Sequence, residues 1–113
     1  MNRLRTALLL ALLAPFLAAQ DPPREIEIKA KRFQYMPSEI RVKKGEKVVL
    51  VLTSADVTHG LFSRPLHLDA AIPPEQTTRV EFTAPAEAKA YTVICNHFCG
   101  TGHGGMKMAI IVE

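Results

Sequence analysis

Glu25-Ile26-Glu27-Ile28-Lys29-Ala30 alternates polar and apolar side chains residue by residue, the period of a strand with one buried face. Outward from it, the alternation returns at Ile40-Arg41-Val42-Lys43, and Lys44-Gly45-Glu46 marks the turn that follows. Residues 47–52 form a β-branched apolar run, which predicts a strand buried on both sides. Residues 77–82 alternate again, with Thr78, Val80 and Phe82 on one face. Tyr91-Thr92-Val93-Ile94 and residues 108–112 complete the strand candidates. Pro37, Pro65, Pro73, Pro74 and Pro85 interrupt the chain against helix formation, and one turn near 84–88 is the only helical segment expected. Six or seven short strands with regular turn signals predict an all-β antiparallel sandwich. No repeat or second domain is visible.

The 113 residues suffice for one domain, expected at 20–113. Residues 1–19 read as a cleavable signal peptide: Arg3 and Arg5, then an apolar run, then Ala18 and Ala19 before Gln20. The run contains Pro15 and is shorter than the roughly 20 apolar residues of a membrane-spanning helix. A short uncleaved anchor is the alternative. Export places the domain in the periplasm or on the outer face of the cytoplasmic membrane. Removing Arg3 and Arg5 from the 14 Lys and Arg leaves 12 against 11 Asp and Glu, so the net charge falls from +3 to +1. The remaining basic residues are interspersed with acids, as at Arg24-Glu25 and Glu46-Lys47. That is a solvated surface, and nucleic acid is set aside as a partner.

The chemistry lies in Cys95-Asn96-His97-Phe98-Cys99-Gly100-Thr101-Gly102-His103-Gly104-Gly105-Met106. This stretch holds both cysteines, two of the four histidines and four of the six glycines. Lying between two strand candidates, it is expected as a loop at one end of the sandwich. Its potential ligands are spaced Cys-x3-Cys-x3-His-x2-Met. Thiolate, imidazole and thioether are soft donors that suit copper; calcium and magnesium take oxygen, and zinc seldom uses a thioether.

Residues 95–106 resemble the dinuclear copper (CuA) loop of cytochrome c oxidase subunit II and of the related nitrous oxide reductase domain. Ser54-Ala55-Asp56-Val57-Thr58-His59-Gly60 resembles the family segment that supplies a remote histidine, and Asp69-Ala70-Ala71-Ile72-Pro73 its Asp-Ala-x-Pro loop. Phe33-Gln34-Tyr35-Met36-Pro37 and Ile40-Arg41-Val42-Lys43-Lys44-Gly45 resemble the opening strands, most like the short subunit II of ba3-type oxidases. The resemblance implies a cupredoxin-like Greek-key β-sandwich. It also implies two copper ions in a mixed-valence centre. Cys95 and Cys99 would bridge both metals, His59 and His103 would bind one each, and Met106 and the carbonyl of His97 would be weak ligands. Two thiolates against Cu(I) and Cu(II) leave a charge near +1, which tolerates burial better than a bare divalent ion. The implied role is electron transfer from a c-type cytochrome or similar donor to a haem-copper oxidase, with catalysis in that partner. Membrane association would come only through the leader or the oxidase. The resemblance departs where other members carry an acidic residue between the cysteines, because His97 stands there.

Three other readings remain open at this level. Two cysteines in an exported protein commonly form a disulfide. His59, Cys99, His103 and Met106 alone make a complete mononuclear blue-copper set. A copper-storage or delivery protein is the third. No Ser-His-Asp arrangement, paired acids or phosphate loop points to an enzyme. His67 and the side chain of His97 are expected at the surface, and Met36 and Met108 as core fillers.

Overall fold

The alternation at 25–30 becomes the first strand of a two-sheet sandwich, with Ile28 and Ala30 fully buried. The computed structural model describes residues 22–113; the leader expected at 1–19 lies outside the described residues. The strands are β1 (Arg24–Lys31), β2 (Gln34–Met36), β3 (Glu39–Val42), β4 (Lys47–Ser54) and β5 (His59–Ser63), followed by β6 (Leu68–Ile72), β7 (Thr78–Thr83), β8 (Ala90–Ile94) and β9 (Lys107–Val112). One sheet runs β2-β1-β4-β7 and the other β3-β9-β8-β5-β6. Among the described residues, no helix is long and apolar enough to cross a membrane.

The strand pattern predicts a purely antiparallel sandwich, whereas two of its strand pairings are parallel. β1 pairs with β4 in parallel, Ile28 opposite Leu52, and β3 pairs with β9 in parallel, Ile40 opposite Ile110. The chain leaves the first sheet after β2, runs β3 in the second and returns through a turn at 43–46. β4 therefore arrives beside β1 pointing the same way. β4 also differs from a strand buried on both sides. Val48, Leu50 and Leu52 are fully buried, whereas Val49 and Val51 face outward and are half-buried. Each of the three inner side chains contributes about 1.5–3 kcal/mol of burial.

Other expectations are corrected locally. Residues 84–88 form no helical turn; the one helical segment among the described residues is a 3-10 turn at His103–Gly105. Met108 is buried as expected, but Met36 is an exposed residue at the end of the short edge strand β2. Asp69-Ala70-Ala71-Ile72 lies in β6, paired with β5, rather than in a loop.

The end remote from the cysteines is closed by main-chain bonds. Lys44 N–H donates to Glu113 O at 3.1 Å, Gly45 N–H to Ala84 O at 3.0 Å, and Ala84 N–H to Glu46 O at 2.8 Å. Gly45 has φ 71°, a left-handed turn position that glycine takes without a Cβ penalty.

Candidate metal centre

Three strands of the second sheet deliver three predicted residues to the same end. Tyr91, Val93 and Cys95 continue the inward face of β8 past its last residue. Met106 precedes Met108, Ile110 and Val112 on the inward face of β9. His59 opens β5, ahead of inward-facing Leu61 and Ser63. Period-2 geometry places all three where the core meets the sandwich end. Cys95 N–H donates to Met106 O at 3.3 Å, closing the base of the loop. Within it, His103 N–H donates to Gly100 O at 3.1 Å and Met106 N–H to His103 O at 3.1 Å. These turns fold Cys99 back over Cys95.

A ligand atom from each of His59, Cys95 and Cys99 lies within 4.8 Å of the others, and all three residues are buried. Both cysteines are free thiols, their sulfurs 3.9 Å apart. Cys99 Sγ is 3.6 Å from His103 Nδ1 and 3.8 Å from Met106 Sδ. Cys95 Sγ lies 3.1 Å from the carbonyl oxygen of His97, whose ring is exposed. The structure thus brings His59, Cys95, Cys99, His103 and Met106 near one another, and turns the carbonyl rather than the ring of His97 to Cys95. His67 is exposed, as expected.

The surroundings hold this cluster in place. Asp56 Oδ1 is 2.6 Å from His59 Nε2, which leaves His59 Nδ1 outside that contact. Asp56 also accepts the main-chain N–H of Arg32 at 2.7 Å and of Val57 at 2.6 Å. Desolvation opposes ionisation of Asp56, but these donors and His59 outweigh it and hold the carboxyl at about 2. Gly60 N–H donates to Cys95 Sγ at 3.3 Å, while the Gly60 carbonyl accepts from Tyr35 Oη at 2.5 Å. Burial, reinforced by the Cys95 sulfur, keeps the Tyr35 phenol far above its ordinary value, so it is a neutral donor. A Cβ on Gly60 would lie 2.1 Å from Asn96 Oδ1, and Asn96 donates to Asp69 Oδ1 at 3.2 Å. Sequence reasoning assigned no role to Asp56, Tyr35 or Arg32. The Asp56-x-x-His59 spacing was a usable signal, whereas nothing local marks Tyr35 or Arg32.

Two features fit a soft cation. His59 Nδ1 is fully buried and has no hydrogen-bond partner among the described residues, a costly arrangement that a metal would relieve. Burial, followed by the neighbouring Cys95 thiol, pushes the Cys99 thiol up to about 11. The desolvation that opposes a bare thiolate is what a bound cation offsets. Two thiols, an orphaned imidazole nitrogen and a thioether suit copper.

Known proteins resemble this chain over most of its length. The cupredoxin-like domain family matches residues 4–112. Cytochrome c oxidase subunit 2 of Thermus thermophilus is 34% identical over 90 residues, 78% of this chain and 64% of the relative. Nitrous-oxide reductase of Ralstonia nicotianae is 28% identical over 111 residues, 86% of this chain but 17% of the relative. One chain of a haem-copper terminal oxidase dimer superposes with TM-score 0.72 at 26% identity, covering 84% of this chain and 68% of that one. The chain thus spans less than two thirds of the length of the relatives it matches by sequence.

Proposed function

The chain belongs to the cupredoxin-like family, and on that premise we propose that it is an exported electron-transfer protein with a dinuclear, mixed-valence copper centre of the CuA type. It accepts electrons from a c-type cytochrome or similar donor and passes them to a haem-copper oxidase. The observation that supports this reading is the buried His59–Cys95–Cys99 cluster with its unpartnered Nδ1. The similarity to oxidase subunit 2 supports the oxidase as acceptor.

Cys95 and Cys99 would hold the copper pair through their sulfurs, His59 and His103 through imidazole nitrogens, with Met106 and the His97 carbonyl as weaker donors. The copper pair, when bound, supplies a one-electron couple whose charge is spread over two metals. Asp56 orients His59, Gly60 N–H supports the Cys95 sulfur, and the buried Met106 and Tyr35 exclude water from the inner side. A rigid sheet end of this kind limits movement between redox states.

The test is electron paramagnetic resonance of the copper-loaded protein with a copper count. Seven hyperfine lines and two coppers per chain are expected. Four lines and one copper would overturn the dinuclear centre in favour of the mononuclear set His59, Cys99, His103 and Met106. Copper that a chelator strips readily, with no electron exchange with a cytochrome c, would identify a copper-handling protein instead.

A further inference from the structure

The loop carrying most of the proposed donors is gripped from outside by the two-residue connection between β1 and β2. We infer that Arg32 is a positioning residue that ties Cys99 to the His59 segment and sets their separation. This deepens the electron-transfer reading and rests on it for its redox consequences.

The geometry is a single residue bonded in two directions. The Arg32 side chain donates from Nε to the Cys99 carbonyl at 3.0 Å. Its own main-chain N–H donates to Asp56 Oδ2 at 2.7 Å, and the other oxygen of Asp56 holds His59 Nε2 at 2.6 Å. Arg32 therefore joins partners that stand 24 and 67 residues away in the chain. Its neighbour Phe33 seats the loop: a Cβ on Gly100 would lie 2.9 Å from the Phe33 ring and one on Gly102 would lie 2.5 Å from it. Among the described residues, the main-chain bonds of this loop join 95 to 106 and residues 100–106 to one another; none engages Cys99. The Arg32 guanidinium thus partners a carbonyl that the loop's own turns leave open. It also sets a permanent cation beside the site, which favours the form that has gained an electron.

Arg32→Met keeps the aliphatic stem and removes both the donor and the charge. In copper-loaded full-length protein, release to a chelator is expected to accelerate roughly three- to tenfold, the range one ordinary net hydrogen bond supplies. The reduction potential is expected to fall. Arg32→Lys restores the charge but not the planar Nε–H, so its potential returns towards wild type while release stays fast. Arg79→Met on β7, which removes an exposed pair with Glu25 of β1, is expected to behave as wild type in both assays. A wild-type release rate and potential in Arg32→Met would overturn the inference. Hydrogen exchange of residues 97–103 in copper-free protein decides the positioning role even if no copper binds. Exchange faster in Arg32→Met than in Arg79→Met supports it, and equal exchange refutes it. Failure of wild-type protein to take up copper would overturn the electron-transfer reading alone.

Discussion

The two ends of the sandwich satisfy their polar groups in opposite ways. At the closed end, around Gly45, Ala84 and Glu113, main-chain donors and acceptors meet one another directly, and Arg24 pairs with Glu46 at 3.1 Å. At the other end, His59 Nδ1 is buried without a partner, two thiols sit 3.9 Å apart unjoined, and side chains from remote segments hold the loop. The first end is complete as protein. The second presents soft donors that a metal would satisfy, so binding there would add stability.

That contrast can be broken or sharpened by experiment, and the largest effect belongs to the ligand end. Cys95→Ser is expected to abolish the two-copper stoichiometry and the stabilisation that copper confers. That stabilisation amounts to about 4 kcal/mol when metal exceeds the dissociation constant a thousandfold. Thermal unfolding with and without copper measures it, and an equal copper-induced rise in wild type and variant would break the contrast. Leu50→Ala, in the fully buried middle of β4, is expected to cost about 2–5 kcal/mol whether or not copper is present. Guanidinium titration of both forms checks that independence.

Tyr35→Phe removes the donor to the Gly60 carbonyl and is expected to cost about 1–3 kcal/mol in copper-free protein. It also loosens Gly60 against Cys95, so the copper spectrum should shift; an unchanged spectrum would place Tyr35 with the scaffold alone. The smallest effect belongs to Glu46 at the closed end. The Lys43 N–H, acting against desolvation and aided by Arg24, lowers its carboxyl below the ordinary value of 4.5. A depressed carboxylate contributes stability at neutral pH that is lost as pH falls from the ordinary value towards the folded one. Glu46→Gln should therefore lose under about 1 kcal/mol at neutrality and show a shallower acid loss than wild type. A parallel pH profile for the two proteins would remove Glu46 from the account.

Much of this molecule is legible along the chain, because both sheet faces and ligand spacing are short-range patterns. The alternation at 25–30 and 40–43 predicts β1 and β3, and the run at 91–94 predicts β8. β5 and β6 are not legible in the same way. Gly60 interrupts the pattern of β5, and β5 lies between β8 and β6 with little exposed side-chain surface to reveal a period. The parallel pairings β1–β4 and β3–β9 escape notice because direction depends on where the chain changes sheet.

The site divides along the same line. Residues 95–106 by themselves determined the donor types and therefore the class of metal, since softness is a property of side chains. The resemblance of residues 54–60 to a known family's segment carried the remote histidine. Only the tertiary structure decided which nitrogen of His59 is left open and that Arg32 and Tyr35 support the cluster. The Arg32 and Tyr35 contacts join segments 24 to 67 residues apart, which no local pattern encodes.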